Sequence, residues 1–534
     1  MNTPPIVWTV AGSDSGGGAG IQADLRACDA LDVHGCSAIA ALTAQNSVSV
    51  TRIAPVAAEL LDAQLAALAA DMPPAAIKTG MLGSVENLQV LVHWIDLLRA
   101  ANPALAVVVD PVLGATTGRV FADADLLQAL RTQLLPRATL ITPNRREAAA
   151  LLGLPALQHR ADVEDAARAL VQAGCASVVI TGGDVAGADC EDFALTPQAE
   201  GWLRNSRVAT PHHHGTGCVF ASSAAAAMAH GFVAMEALVI AKMATTHGLR
   251  HACAAGTGAG PVRPRADFGQ HIAKLPALSL ATQPVLARRH RSIATPDPAR
   301  RHGHSADLPA IAFAPLHDPE LGLYAIVDTA DWVQRVLDAG VRTVQLRIKH
   351  PQQSDLRQQV RASVAVARAV GAQLFINDHW QVAIDEGAYG VHLGQEDLAT
   401  ADLAQIAQAG LRLGISTHAF WEVCRAWTLR PSYIACGPIH PTQAKAMPWL
   451  PQGNGNLAYW CRLLPLPVVA IAGMDAPRTR MAAAAGAAGV AVISAITAAP
   501  HPEQAIAALA SAWTLGRGET EAPIPAKLPR PTLR

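Results

Sequence analysis

The motif HHHGTGC, residues 212–218, carries the sharpest chemical signal in the first half of the chain. Gly215, Thr216 and Gly217 present consecutive backbone N–H groups directly before a long alanine-rich helical stretch. Such groups at a helix start can form an anion hole for a phosphoryl group in transfer. Cys218 is expected to be the first helical residue, where the helix dipole lowers the pKa of a thiol. Metal binding by the adjacent histidines is less favoured, because their side chains point in different directions.

A second feature is the glycine-rich loop GSDSGGGAG, residues 12–20, which follows the apolar run Ile6–Ala11. A strand, a glycine loop and a helix start together could admit a polar ligand, although a tight turn explains the glycines equally well. The loop lacks the GxxxxGK[ST] pattern of a Walker motif. Asp24 lies one turn into the following helix, where a carboxylate is typical of a partner for the helix dipole.

Oxygen-bearing side chains follow two further apolar runs in the first half. Asp110 comes after VVV, and Asn144 and Glu147 come after ITP. Carboxylate and amide oxygens at strand ends suit Mg²⁺ and its waters beside nucleotide phosphates. Each of the three residues could instead be a helix cap or a turn residue.

In the second half, Gln345, Arg347 and Lys349 alternate along the run VQLRIK. Alternation along a strand places them on one face. Two cations and an amide that point together need an anion, and phosphate or pyrophosphate fits. The alternative, a charged strand that faces solvent, is disfavoured because the strands of a barrel are buried.

Two carboxylates come from neighbouring apolar runs of the same half. Asp378 follows Asn377 at the end of one run, and Asp397 ends the motif GQED after the next. They predict a Mg²⁺ site that bridges to a pyrophosphate. The later runs add further candidates, which are Ser416, Thr442, Lys445, Gly473, Ile493 and Ser494. Loops after the seventh and eighth strands are the usual phosphate cradle of a β/α barrel.

The elements that must position these residues alternate between short apolar runs and helical stretches. Eight strand–helix units between Tyr324 and Ser494 predict a compact (β/α)₈ TIM barrel. The less regular first half predicts an open, mostly parallel sheet with helices on both faces. The predicted organisation is a kinase-like domain over residues 1–275, a Pro/Arg/His-rich linker over 276–320, a barrel over 321–516 and a flexible tail over 517–534.

Bulk composition excludes several classes of function. The 534 residues carry a net charge of −1, which argues against a nucleic-acid partner. The most apolar long stretch, Val219–Thr246, contains His230, Glu236 and Lys242, so a buried helix pair is favoured over a membrane span. Nine irregularly spaced cysteines and the absence of a recognisable signal peptide predict a cytoplasmic protein with reduced thiols.

The motifs AGSDSGGGAGIQADL, ALTAQN, KTGMLG, VVVDPV, TPNRREA and HGTGC, taken together, resemble the hydroxymethylpyrimidine (phosphate) kinases of the ribokinase superfamily. The resemblance implies a ribokinase-like α/β/α sandwich that uses ATP to phosphorylate 4-amino-5-hydroxymethyl-2-methylpyrimidine and then its monophosphate. It implies a pyrimidine pocket at Gly12, Asp24, Gln45 and Met81, an ATP and Mg²⁺ region at Asp110, Asn144 and Glu147, an anion hole at Gly215, Thr216 and Gly217, and Cys218 as proton acceptor. Thr181 replaces a lysine that several members carry.

The motifs LYAIVD, VQLRIK, FINDHW, GVHLGQED, GISTH, GPIHPTQAK and GVAVISAI resemble thiamine phosphate synthase. The implied reaction joins the pyrimidine diphosphate to hydroxyethylthiazole phosphate and releases pyrophosphate. The resemblance implies Mg²⁺ on Asp378 and Asp397, and a pyrimidine diphosphate site at Gln345, Arg347, Lys349, Asn377, Ser416 and Lys445. It implies a thiazole phosphate site at Thr442, Gln443, Ala444, Gly473, Ile493 and Ser494. Ala444 and Ala472 depart from the family pattern, which has a threonine and a glycine there.

The two resemblances support each other, because the product of the first reaction is a substrate of the second. The alternative is a pyridoxal-type kinase fused to a barrel that binds phosphate ligands without catalysis. The expected partners are small-molecule substrates, with Mg²⁺ as cofactor and ATP as co-substrate, and neither nucleic acid nor membrane. Association into a homo-oligomer through either domain stays open.

Overall fold

The computed structural model describes residues 3–114, 121–280, 313–349, 355–442, 448–519 and 527–533. Contacts divide the described chain into two compact units, one on each side of residues 281–312. We call them the front unit and the back unit, and each is described by itself. Among the described residues, no helix combines the length and the apolar character needed to cross a membrane.

The front unit is built on one ten-stranded sheet with the strand order β10-β9-β8-β7-β6-β5-β4-β1-β2-β3. Its strands are β1 (Ile6–Asp14), β2 (His34–Gln45), β3 (Val50–Pro55), β4 (Ala76–Thr79), β5 (Ala106–Val109), β6 (Leu140–Ile141), β7 (Val178–Ile180), β8 (Asp189–Leu195), β9 (Glu200–Ser206) and β10 (Ala277–Leu280). Neighbours from β2 through β1 to β7 run parallel, whereas β3, β8, β9 and β10 join antiparallel.

Helices cover both faces of this sheet. They are α1 (Gly20–Ala30), α2 (Ala58–Asp71), α3 (Val85–Ala101), α4 (Ala124–Ala129), α5 (Arg145–Leu152), α6 (Arg160–Gln172), α7 (Thr216–Ala229) and α8 (Ala234–Arg250), with short 3₁₀ segments at Phe268–Gln270 and Ile272–Lys274. Alternation along β1 shows the two layers. Trp8 and Val10 join the core that α2 and α3 help to form, whereas Thr9 bonds to Asp24 on α1. The α/β/α sandwich is therefore confirmed.

The back unit is a closed barrel of eight parallel strands. Strands and helices alternate as β11 (Gly322–Val327), α9 (Ala330–Asp338), β12 (Thr343–Leu346), α10 (Leu356–Ala369), β13 (Gln373–Asn377), α11 (Trp380–Asp385), β14 (Gly390–Leu393), α12 (Leu403–Gln408), β15 (Arg412–Thr417), α13 (Phe420–Leu429), β16 (Tyr433–Cys436), α14 (Gly453–Leu463), β17 (Val468–Ile471), α15 (Ala476–Ala484), β18 (Gly489–Val492), α16 (Ser494–Thr497) and α17 (Pro502–Arg517). Tyr324, Phe375, Tyr433 and Val469 cluster in its buried core. The (β/α)₈ barrel is confirmed.

The units extend beyond the boundaries expected from sequence. Strand β10 pairs with β9, so the front unit continues past residue 275. On the other side of the predicted linker, Ser432 donates to the Ala314 carbonyl and Arg412 donates to the Pro315 carbonyl, so these residues belong to the back unit. Composition alone did not reveal these contacts, because each depends on a partner distant in sequence.

The expected flexible tail over 517–534 is also wrong where the structure describes it. Within the segment 527–533, Arg530 and Asn456 exchange two hydrogen bonds, from the Arg530 N–H at 2.7 Å and from the Asn456 amide at 2.9 Å. The Leu450 N–H donates to the Thr532 carbonyl at 2.7 Å. The segment therefore lies against the start of α14 and the connection that precedes it.

Candidate active sites

The two glycine-rich motifs of the front unit lie against each other. Gly215 has φ +81° and precedes α7, and a Cβ there would overlap the carbonyl oxygen of Gly18. A Cβ on Gly18 would in turn overlap the His214 ring. Glycine is required at both positions because the loops approach backbone to backbone. Loop 12–20 and the HGTGC motif therefore form one wall of the same site.

Asp14 organises the glycine loop from within. Its carboxylate accepts the N–H groups of Gly16, Gly18 and Ala19 at 2.8–2.9 Å, and His214 Nε2 lies 3.0 Å away. Burial opposes ionisation of this carboxyl, but these hydrogen bonds hold its pKa below the usual value. Because these donors are used inside the protein, this loop is a turn built around Asp14 rather than a cradle for a polar ligand.

The anion hole expected at the start of α7 is partly used within the protein, because the Thr216 N–H donates to the His213 carbonyl at 3.3 Å. Thr216 begins the helix and donates its hydroxyl to the His213 carbonyl. Gly217 is exposed, and a Cβ added there would contact nothing within 4 Å, so it faces open space. N–H groups in the first helical turn have no intrahelical acceptor. Gly217 therefore presents an N–H group at an accessible helix start.

Cys218 differs from the expectation in two respects. It is the third helical residue rather than the first, since α7 begins at Thr216. Burial raises the pKa of its thiol to about 12, although the positive charge of Lys78 opposes this effect. The expected lowering by the helix dipole is therefore wrong, because desolvation of the thiolate outweighs it.

A neutral thiol predicts that Cys218→Ser preserves kinase activity. A group with a pKa near 12 is protonated at neutral pH, as is a serine hydroxyl, so neither acts as an efficient base. We expect kcat for phosphoryl transfer within about tenfold of the parent, with the same pH profile between pH 6 and 9. Steady-state kinetics with the pyrimidine alcohol checks this. A loss above about 100-fold, or a thiol titration in the parent profile, would contradict it.

Asp24 is fully buried in a polar cluster that sequence reasoning missed. Its oxygens accept from Lys78 at 3.0 and 3.1 Å, from Thr9 at 2.5 Å and from Ser222 at 2.7 Å. Lys78 is also fully buried and lies 3.6 Å from Asp110. Asp24 is therefore the partner of a buried cation rather than of the helix dipole. Neighbouring carboxylates outweigh burial and raise the pKa of Lys78, so it stays charged.

The other candidate pyrimidine residues approach one another at the carboxyl ends of β1, β2 and β4. A Cβ on Gly12 would overlap the end of the Met81 side chain, so the two residues are in contact. The Gln45 amide nitrogen lies 3.1 Å from His214 Nε2. The structure therefore brings Gly12, Met81 and Gln45 to the edge of the sheet where the HGTGC motif begins.

Asp110, Asn144 and Glu147 follow β5 and β6. Asn144 and Glu147 form a reciprocal capping box at the start of α5. Burial raises the pKa of Asp110 to about 6, and burial together with the charge of Asp110 raises that of Glu147 to about 7. Oδ2 of Asp110 accepts no hydrogen bond from the described residues. Asp110 is buried and Glu147 half-buried, and within the described part of the chain Oδ2 of Asp110 has only the Lys78 ammonium, 3.6 Å away, as a neighbouring charge of opposite sign. Two such acids with raised pKa values fit a site for a cation.

In the back unit, a hydrogen-bonded chain crosses the barrel interior. Gln345 donates to the Tyr324 hydroxyl at 3.2 Å, which lies 2.8 Å from the Tyr433 hydroxyl. His392 joins Tyr433 through Nδ1 at 2.7 Å and Ser416 through Nε2 at 2.8 Å. Burial lowers the pKa of His392 to about 3, so its ring is neutral. These hydrogen bonds fix Gln345 and Ser416 relative to each other. His392 connects the two halves of this network, a role that the sequence did not reveal.

Arg347 and Lys349 extend beyond the end of β12. Gln345 is buried within the strand, Arg347 is half-buried and Lys349 is exposed, so the three run from the interior to the rim. Asn377 ends β13 and is buried. The three side chains that alternate along the sequence therefore follow one path from the barrel interior to its mouth.

Asp378 and Asp397 come together as expected. Burial and the nearby Asp397 carboxylate raise the pKa of Asp378 to about 6, whereas Arg347 acts in the opposite direction. Asp378 holds a left-handed backbone at φ +62°, and its N–H donates to the His392 carbonyl. The Asp397 carboxylate accepts the Gly394 N–H at 3.0 Å. Two convergent carboxylates beside a guanidinium fit a Mg²⁺ and pyrophosphate site.

The candidate phosphate residues lie at the ends of β17 and β18. Gly473 has φ +69°, and a Cβ there would lie 2.6 Å from the Pro441 carbonyl oxygen. Ile493 and Ser494 follow β18, where Ser494 begins α16. Thr442 lies beside Pro441 in the connection from β16. Gln443, Ala444 and Lys445 lie outside the described residues.

The departure at Ala472 predicts a stabilising substitution. Ala472 has φ +78°, a conformation that costs a residue with a Cβ about 1–2 kcal/mol. Ala472→Gly removes this strain but adds about 0.4–1 kcal/mol of unfolded-state entropy, so we expect the back unit to gain up to about 1 kcal/mol. Thermal unfolding checks this. Ala470→Gly, in the buried strand β17, should destabilise instead, and a lower Tm for Ala472→Gly would contradict the prediction.

Comparison with known proteins assigns a family to each unit. The phosphomethylpyrimidine kinase family matches residues 14–263, and the thiamine monophosphate synthase family matches residues 323–496. Both resemblances drawn from the motifs are confirmed. The thiamine-phosphate synthase of Neisseria meningitidis serogroup A / serotype 4A is 48% identical over 204 residues, covering 38% of this chain and 99% of that protein.

Two plant proteins span both units. A probable thiamine biosynthetic bifunctional enzyme, chloroplastic, of Oryza sativa subsp. japonica is 33% identical over 509 residues, covering 92% of this chain and 86% of that protein. The Arabidopsis thaliana thiamine biosynthetic bifunctional enzyme TH1, chloroplastic, is 33% identical over 506 residues, covering 92% and 90%. Because the similarity runs through both units in the same order, the chain belongs to the family of bifunctional thiamine biosynthetic enzymes, with a phosphomethylpyrimidine kinase preceding a thiamine monophosphate synthase.

Proposed function

We propose that the front unit transfers phosphoryl groups from ATP to 4-amino-5-hydroxymethyl-2-methylpyrimidine and then to its monophosphate. The back unit then joins the resulting diphosphate to 4-methyl-5-(2-hydroxyethyl)thiazole phosphate, which gives thiamine phosphate and pyrophosphate. The observation that carries this proposal is a pair of sites that can hold phosphate oxygens, one directly and one through a bound cation and an arginine. One is the accessible backbone at the start of α7, and the other is the Asp378–Asp397 pair beside Arg347.

In the front unit, phosphoryl transfer depends mainly on positioning and charge stabilisation. The N–H groups of Gly215 and Gly217 would hold the transferred phosphoryl group at the helix start, together with that of Thr216 if it leaves the His213 carbonyl. Gly12, Gln45 and Met81 would contact the pyrimidine. Asp24 would act through Lys78, since its carboxylate is fully buried and bonded to three side chains.

Mg²⁺ fits the front unit beside ATP. Asp110 and Glu147, with Asn144 next to them, would hold the ion directly or through water. Two observations support this: Oδ2 of Asp110 accepts no hydrogen bond from the described residues, and the pKa values of both acids are raised. When bound, Mg²⁺ supplies positive charge to the phosphate oxygens of the nucleotide. Thr181 lies beside Asn144 across a β-bridge and offers a neutral hydroxyl at that edge.

In the back unit, the protein would bind and orient both substrates while pyrophosphate departs. Gln345, Asn377 and Ser416 would hold the pyrimidine, because the Tyr324–Tyr433–His392 chain fixes two of them. Arg347, Lys349 and Lys445 would neutralise the diphosphate. Mg²⁺ on Asp378 and Asp397 supplies further positive charge there when bound. The aminopyrimidine can delocalise positive charge at its methylene carbon, so attack by the thiazole nitrogen needs no protein base.

The thiazole phosphate would bind where the β16, β17 and β18 connections meet. Gly473 contacts the Pro441 carbonyl, and the backbone around Ile493 and Ser494 begins a helical turn at the same rim. Thr442, Gln443 and Ala444 belong to the connection that Gly473 touches. The close backbone approach at Gly473 supports this placement.

The deciding experiment follows both products in one reaction. The full chain is incubated with ATP, Mg²⁺, the pyrimidine alcohol and thiazole phosphate, and phosphorus NMR records the pyrimidine phosphates and thiamine phosphate. Asp378→Asn should stop thiamine phosphate formation while the pyrimidine diphosphate accumulates. Asp385→Asn, a half-exposed carboxylate of α11 paired with Arg357, is the matched control. Undiminished thiamine phosphate from Asp378→Asn, or phosphorylation of pyridoxal in preference to the pyrimidine, would contradict the proposal.

We place this chemistry in the cytoplasm. All nine cysteines are free thiols, which supports a reducing compartment. Each set of site residues comes from a single unit, and the partners we propose are the small-molecule substrates.

A further inference from the structure

A cluster of two histidines and one aspartate lies at the end of α8, apart from the residues assigned to phosphoryl transfer. His247 belongs to the last turns of α8, and Asp267 and His271 flank the short 3₁₀ segment at Phe268–Gln270. Nε2 of His247 lies 3.4 Å from Asp267 Oδ1, and Nε2 of His271 lies 3.4 Å from Asp267 Oδ2. One ligand atom from each residue lies within 4.8 Å of the others.

The His247 ring is the unusual member of this cluster. It is 0% exposed, and neither ring nitrogen has a hydrogen-bond partner among the described residues. Its Nε2 lies 3.4 Å from Asp267 Oδ1 without making a hydrogen bond to it. A buried imidazole without hydrogen bonds costs stability, because its two nitrogens lose those they made to water. Imidazole nitrogens are common metal ligands, and a bound ion would give one of these nitrogens a partner.

We propose that His247, Asp267 and His271 bind one divalent transition-metal ion of the Zn²⁺ class. Ligand bonds of about 2.0–2.1 Å in a tetrahedral site place neighbouring ligand atoms about 3.3–3.4 Å apart. Each histidine nitrogen lies at this distance from one carboxylate oxygen, His247 from Oδ1 and His271 from Oδ2 of Asp267, so the carboxylate would face the ion with both oxygens. The ion would satisfy one nitrogen of the buried ring. Two imidazoles and a carboxylate favour Zn²⁺, Co²⁺ or Ni²⁺ over Mg²⁺ and Ca²⁺, which prefer oxygen ligands.

The residues around the cluster influence its affinity for a metal ion and the effect that a bound ion would have on the stability of the front unit. Lys274 and Arg250 lie near enough to influence one another's charge, and Lys274 also acts on His247. These cations reduce the affinity for a dication. His251 donates from Nδ1 to the His247 carbonyl at 2.9 Å and packs its ring 4.2 Å from that of His247. A bound ion would tie the end of α8 to the segment that leads to β10, so it would stabilise the front unit.

The test uses the full chain after removal of metals with a chelator. Isothermal titration with ZnCl₂ measures uptake, and visible absorption after addition of CoCl₂ reports tetrahedral coordination. Asp267→Asn and His271→Asn are the test variants, because both side chains are half-exposed and their replacement should leave the fold intact. His93→Asn, an exposed histidine on α3, is the matched control.

We expect the parent and His93→Asn to bind one more equivalent of Zn²⁺ than either test variant. We also expect both to show a Co²⁺ band that the test variants lose. Saturating Zn²⁺ should raise the Tm of the front unit by on the order of 5 °C in the parent and in His93→Asn only. Kinase activity without Zn²⁺ should be equal in all four proteins, which confirms their folding. Equal Zn²⁺ uptake by parent and test variants, or no Co²⁺ band in the parent, would overturn the proposal.

Discussion

Gly215→Ala is expected to abolish kinase activity while thiamine phosphate synthesis from supplied pyrimidine diphosphate continues unchanged. The residue has φ +81°, and its Cβ would overlap the carbonyl oxygen of Gly18. The left-handed conformation alone costs about 1–2 kcal/mol for alanine. The larger effect is displacement of the first turn of α7 from loop 12–20. Misplacing phosphate-binding donors by about 1 Å lowers kcat by about 100-fold or more.

Gly217→Ala is the control for this prediction. Its Cβ would contact nothing within 4 Å, and its φ is not in the left-handed region, so the front unit should unfold at the parental temperature. Comparing the two variants by thermal unfolding and by coupled ADP release separates backbone displacement from a general loss of stability. Parental kinase activity in a correctly folded Gly215→Ala protein would show that the approach of the two loops is not needed.

Lys78→Met should strongly destabilise the front unit. The ammonium group is fully buried between Asp24 and Asp110, and methionine fills a similar volume without the charge. Breaking a buried ion pair from one side costs about 3–5 kcal/mol, because the remaining carboxylate stays buried and unpaired. Urea unfolding of the front unit measures this loss, and kinase activity should fall with it.

The destabilisation should depend on pH with a defined sign. Burial already raises the pKa of Asp110 to about 6 against the opposing charge of Lys78, and removal of Lys78 raises it further. A carboxyl whose folded-state pKa exceeds its unfolded value destabilises the fold above that pKa and less below it. The deficit of Lys78→Met should therefore shrink as the pH falls from the raised pKa of Asp110 in the variant toward about 6, the pKa of Asp110 in the parent.

The double variant Lys78→Met/Asp24→Asn isolates the pair. Removing both charges should restore part of the lost stability, because the most deeply buried carboxylate is then neutral. Additive losses in the double variant would show that Asp24 and Lys78 do not act as a pair.

The barrel and its mouth could largely be predicted from sequence, for a physical reason. The carboxyl ends of parallel strands meet at one rim, so Asp378 and Asp397 had to approach once their strands were assigned as neighbours. The alternation of side chains along a strand likewise predicts that Gln345 and Arg347 lie on the same face of β12 and its extension, which leads out of the barrel interior. The residue that links Gln345 to Ser416, His392, could not be identified this way, because its role depends on two tyrosine hydroxyls from other strands.

The front unit shows where sequence reasoning fails. Strand β4 has only four residues and contains Lys78, so its apolar pattern is too short to predict a strand. The partner of Lys78, Asp24, lies 54 positions away on α1. Without that contact, Asp24 resembles an ordinary helix residue. The prediction of a lowered pKa for the Cys218 thiol failed for a related reason. A sequence can show where a helix starts, but not the desolvation that raises the pKa of the thiol.

The docked segment 527–533 has a consequence for protein synthesis. Its hydrogen bonds to Leu450 and Asn456 join it to the connection before α14 and to the first turns of α14 itself. Domains generally fold as units in the order in which a ribosome makes them, so the front unit can complete its fold early. The contacts of the docked segment cannot form until residues 527–533 have left the exit tunnel. A nascent chain would therefore acquire its first activity well before its second.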